Sequence, residues 1–135
     1  MKLIYPQIFI SFLLILVTFI GCEDTITGSE IDKVVIPNEN VSYSQYIQPV
    51  LNVKCATSGC HDDGTRAGDL SVTNWANVVI PGVVDAYNEQ TSRLVWRIEG
   101  LGVDFMPPVN SIVGPLTPNQ IKGIKTWITE GAKNN

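Results

Sequence analysis

Two cysteines separated by four small residues, with the chain's only histidine directly after the second, constrain this sequence more than any other feature: Cys55-Ala-Thr-Ser-Gly-Cys60-His61. A fold built on it must bring two thiols and one imidazole to a single edge. Any further soft or nitrogen ligand must come from elsewhere in the chain, and it cannot be a second histidine. Gly59 accepts positive φ without strain, which lets the four-residue spacer turn back on itself. Two nearby thiols alone would read as a disulfide in an exported protein. The imidazole beside them leaves that reading incomplete. A structural zinc site usually takes four Cys or His ligands, and this stretch offers three, with only Asp62 and Asp63 to complete it, so zinc is disfavoured.

Of the three cysteines, the third is Cys22, and it stands in a different context. Lys2 gives a positive start, and Ile8 to Ile20 is an almost unbroken apolar run ending at Ile20-Gly21-Cys22. Secretory leaders carry about 7–15 apolar residues, whereas a spanning helix needs roughly 20. The run therefore reads as a leader over residues 1–21, and its end resembles the bacterial lipobox, in which the cysteine is lipidated and becomes the mature N-terminus. The resemblance implies an exported protein, anchored by lipid on Cys22 to a bacterial membrane and facing the periplasm or the cell surface. Residues 23–40 are polar and acidic without a helical period. They read as a tether, with a short extended piece at Val34–Ile36, and as flexible chain they would span roughly 25 Å.

From Val41 onward the pattern is that of one domain, 41–135. With 44% hydrophobic and 16% charged residues the composition is globular, and a net charge of −4 with scattered basic residues argues against a nucleic-acid partner. Tyr43, Ile47, Val50 and Leu51 recur at helical spacing behind Ser42 or Ser44 as cap, and Pro49 predicts a late start or a kink. A polar loop, CHDDGTRAGDL, follows. Short helices are expected near Val72–Val79 and Ser92–Ile98, then a loop rich in glycine and proline from Gly100 to Leu116. Thr117-Pro118-Asn119-Gln120 is a capping box with proline at the first helical position. Ile121, Ile124, Trp127 and Ile128 form the stripe of a terminal helix ending at Gly131, expected to pack on Ile47, Val50 and Leu51.

Haem c attachment requires two thiols that add to the vinyl groups and an imidazole placed to ligate iron. Cys55, Cys60 and His61 supply them, in a wider form of the common C-x-x-C-H. Methionine and histidine are the usual sixth ligands of electron-transfer haems. The chain has two methionines, Met1 and Met106. Met1 leaves with the leader, so Met106 is the available thioether, in the stiff Phe105-Met106-Pro107-Pro108 loop rather than on a helix stripe.

The helix entering through IQPVLNVKC to the Cys-His motif, Gly64 and Gly68 behind it, the MPP triplet and the closing TWITEGA together resemble class I cytochrome c. Within that class the chain is most similar to the planctomycete-type domains of exported bacterial proteins. The resemblance covers about residues 41–135. It implies an all-α bundle around one covalent haem c with first and last helices crossed, His61 and Met106 as axial iron ligands, and redox proteins as partners. It also implies an electron carrier, and the residues show no acid–base pair or activated nucleophile that would make an enzyme. Arg93 and Arg97, one helical turn apart, fit a solvated face better than haem propionates. Trp75, Trp96 and Trp127 are expected to pack the core or the haem face rather than to relay electrons.

Overall fold

The computed structural model describes residues 26–102 and 104–135. The leader over 1–21 and the lipidation of Cys22 lie outside the described residues. Helix α1 is the single turn Gly28–Ile31. A π-helical turn, Tyr43–Ile47, runs directly into α2, Gln48–Lys54. A 3₁₀ turn at Ala67–Asp69 precedes α3 (Trp75–Val78), α4 (Arg93–Glu99) and α5 (Pro118–Thr129). No strand occurs among the described residues, and the protein is all-α there. None of these helices is long and apolar enough to cross a membrane.

Local chemistry accounts for most of these boundaries. Pro49 has no N–H to donate to the carbonyl of Gln45, and the chain widens into a π turn before settling into α winding at Gln48. Ser42 is the cap, its Oγ accepting from the Gln45 amide at 3.3 Å. In α5 the Thr117 hydroxyl accepts from the Gln120 amide at 3.2 Å, while the Gln120 side chain accepts from the Thr117 amide at 2.9 Å. Gly100, at φ 69°, ends α4. Helix α3 is shorter than expected over Val72–Val79. The Val72 amide donates to the His61 carbonyl at 3.0 Å instead of joining a helix, and α3 ends at its C-cap Val79, φ −88° and ψ 71°, two residues before Pro81.

Ile47, Val50 and Leu51 share one core with Ile124, Trp127 and Ile128, and each is at most 1% exposed. The π turn and α5 meet where the centroid of the Tyr43 ring lies 5.3 Å from that of Trp127. The two apolar stripes read from the sequence thus bury each other, as each must.

The tether reading of 23–40 is corrected from Gly28 onward. Ile31, Ile36 and Val41 are buried in the same core. The Ile36 amide donates to Asn119 Oδ1 at 2.8 Å and its carbonyl accepts from Asn119 Nδ2 at 3.1 Å. Gln120, fully buried, donates to the Ile31 carbonyl at 3.1 Å, and the amides of Asn40 and Val41 donate to the Glu130 carboxylate at 2.6 and 2.8 Å. Residues 28–41 are a strap laid across α5, in which Val34–Ile36 belongs to neither helix nor turn. Its closest approach is at Gly123, where a Cβ would stand 2.5 Å from Ile36 Cγ2. Gly123→Ala should therefore lower stability by about 1–3 kcal/mol, as overpacking does, read by denaturant unfolding. An unchanged midpoint would show that the strap is not seated on α5.

Candidate functional site

Helix α2 delivers Cys55, whose amide closes the last turn on the Leu51 carbonyl at 2.9 Å. The spacer then folds back. The Cys60 amide donates to the Thr57 carbonyl at 2.9 Å, and Gly59 adopts φ +87°, the turn its lack of a Cβ allows. The His61 amide donates to the Cys55 carbonyl at 3.0 Å and seals the loop. Asp62 and Asp63 are spent on the loop that follows. Asp62 Oδ1 accepts from the amides of Gly64 and Thr65 at 2.7 and 2.8 Å, and Asp63 Oδ1 from the Ser71 and Thr73 hydroxyls at 2.7 and 2.8 Å. These donors hold both carboxyls below the usual carboxylate range, the Thr65 backbone leading for Asp62 and the Ser71 hydroxyl for Asp63.

The loop forms one wall of a cavity of about 460 Å³, a size typical of sites for organic ligands. Cys55, Cys60 and His61 line it, and Met106 lines it from the far loop. Much of the remaining wall is apolar, from Leu70, Val72, Val78, Val83, Leu94 and Ile98. His61 Nδ1 lies 3.3 Å from the Leu70 carbonyl. A carbonyl only accepts, so Nδ1 carries the proton and Nε2 keeps the lone pair that a metal requires. The Met106 amide donates to the Arg97 carbonyl at 2.8 Å, which pins the methionine to α4.

Both thiols are free. Burial pushes the Cys55 thiol up to about 12, with Cys60 beside it adding to the rise and Lys54 opposing it. The donor set fits the group the sequence implies: two thiols, an imidazole with its lone pair available, a thioether and an apolar wall.

Arg93 is exposed and Arg97 partly so, as a solvated face requires, and both also line the cavity, with Arg97 Nη1 3.3 Å from Asp104 Oδ2. None of the three tryptophans lines it. Trp127 is core, while Trp75 and Trp96 are half-buried and donate to the carbonyls of Ala132 and Gln90 at 2.7 Å. Lys54, on the same wall, was not singled out from the sequence. It follows Ile47, Val50 and Leu51 at helical spacing, and a charge on an apolar stripe was the available signal. A larger and shallower depression of about 780 Å³ lies between α4 and α5, with Lys125 set 2.9 Å from Glu99 and 3.6 Å from Glu89. Its wall holds no thiol, thioether or imidazole. No protein-family model, curated protein or solved structure matches the chain.

Proposed function

We propose that the protein is an exported monohaem c-type cytochrome that carries single electrons, with the class I fold in its planctomycete-type form. The observation that carries this reading is the meeting around one cavity of Cys55, Cys60, His61 and the distant Met106. Cys55 and Cys60 would hold the haem by thioethers, and His61 Nε2 and the Met106 sulfur would ligate its iron. Bound there, haem c supplies a ferric–ferrous couple. The chain's part is to hold, tune and shield it. Two protein ligands leave no coordination position for a substrate, which suits outer-sphere exchange and not enzymatic turnover. The soft thioether favours the reduced metal and raises the potential relative to a harder ligand. The apolar wall keeps water away, and Arg93 and Arg97 are the cations available to the propionates. The leader and Cys22 extend the proposal to a lipid anchor on a bacterial membrane, with redox proteins at the periplasm or cell surface as partners.

Attachment is tested in a host with an active cytochrome c maturation system. The haem should resist acid-acetone extraction, and replacing both Cys55 and Cys60 by alanine should leave little holoprotein. Recovery of wild type as a haem-free protein with a Cys55–Cys60 disulfide would sink the reading.

The sixth ligand is tested by carbon monoxide. Met106→Ala should retain covalent haem, lower the potential and bind carbon monoxide rapidly in the ferrous state, where wild type binds slowly. Equal, rapid binding by both would show that Met106 does not close the site and would favour a haem sensor or enzyme. Separately, Cys22→Ser should move the protein to the soluble fraction with its haem spectrum intact and abolish fatty-acid labelling. Persistent labelling would place the lipid elsewhere.

A further inference from the structure

Three segments far apart in the chain meet on one ammonium group. Lys54 is 3% exposed, and its Nζ lies 2.9 Å from the Asp32 carboxylate, 3.0 Å from the Val113 carbonyl and 3.4 Å from the Pro115 carbonyl. Asp32 belongs to the strap, Lys54 immediately precedes Cys55, and Val113 and Pro115 close the loop that begins at Met106. The three ammonium protons match these three acceptors.

The other ties of the loop are at its near end, where Pro107 is buried and the Arg97 guanidinium bonds Asp104. Its near end is fixed by the Met106 amide on Arg97, and Ser111 donates to the Pro108 carbonyl at 2.8 Å within the loop itself. Val113 donates only to the Ser111 hydroxyl at 3.2 Å. Val109 and Ile112, 91% and 99% exposed, pack against nothing. The far half of the loop is therefore tied down by Lys54 up to the buried Leu116. Lys54 in turn depends on the strap, because an ammonium buried without a carboxylate is strongly disfavoured. Asp32 is itself fixed by Gln120 Nε2, 3.1 Å from its Oδ1.

We propose that Asp32 and Lys54 form a latch through which the docked strap positions the Met106 loop, so that seating of the strap sets how firmly Met106 closes the cavity. Lys54 and Asp32 are positioning residues, acting on the loop backbone. The link to iron rests on the reading of Met106 as a ligand, whereas the link to the loop does not.

The test uses the full chain as wild type, Asp32→Asn, Asp32→Glu and Lys54→Met, with two readouts. Amide hydrogen exchange compares residues 104–116 with α5 in every variant, with or without haem. Ferrous carbon monoxide binding is followed in the haem-loaded proteins. Asp32→Asn should speed exchange across 104–116 by about tenfold while α5 keeps its wild-type protection, a size expected when one partner of a half-buried ion pair is lost. Carbon monoxide binding should accelerate by a similar factor with the haem retained, and Asp32→Glu should restore both. The side chain of Asp32 is 37% exposed, so Asp32→Asn folds even if Lys54→Met does not. Loop exchange unchanged in Asp32→Asn, or raised equally in α5, would overturn the latch and leave an ordinary structural ion pair. Rapid carbon monoxide binding by wild type would instead remove the ligand reading of Met106, and the exchange measurement would still decide the latch.

Discussion

A four-residue spacer between two thiols must close on itself if both sulfurs are to share a wall with the adjoining imidazole. The main-chain bond from the His61 amide to the Cys55 carbonyl is that closure, and the rest of the site is arranged around it. It lets α2 run to Lys54 without distortion, and the extra chain length is taken up in the turn at Thr57–Cys60. The carboxylates of Asp62 and Asp63 then brace the next stretch, so that Leu70 arrives where its carbonyl can hold the His61 ring. Each step trades a free backbone or side-chain group for a fixed direction of one donor atom.

The opposite wall is organised by different physics. The loop from Gly100 to Leu116 has no helix to brace it, and its shape comes from a few long-range ties. Arg97 serves it twice, accepting from the Met106 amide through its carbonyl and donating to the Asp104 carbonyl at 3.2 Å through its guanidinium. Such a wall follows the elements it is tied to, whereas the cysteine wall is held by bonds within its own stretch of chain.

What the sequence made legible follows the same division. The capping box of α5, its stripe, the glycine stop of α4 and the Gly59 turn depend on neighbours within a few residues, and all could be read directly. The widening at Pro49 was legible as a disturbance, though not as a π turn. The strap was not legible. Ile31, Ile36 and Val41 are too sparse for any period, and their partners Asn119, Gln120 and Gly123 lie at the other end of the chain. A polar, acidic composition then reads as tether although Ile31, Ile36 and Val41 are seated in the core. Arg93 and Arg97 are a related case: spacing along α4 fixes that they share a partly solvated face, but not that this face also borders a cavity.

The strap also changes what the upstream residues are attached to. A loose leash transmits neither direction nor force, and a domain hung from one would present all its sides in turn. Here Thr27 stands one short turn from Asp32, which is held by Gln120 of α5. A displacement of Thr27 would therefore reach, within one helical turn, the Asp32 carboxylate that holds Lys54 on the cavity wall.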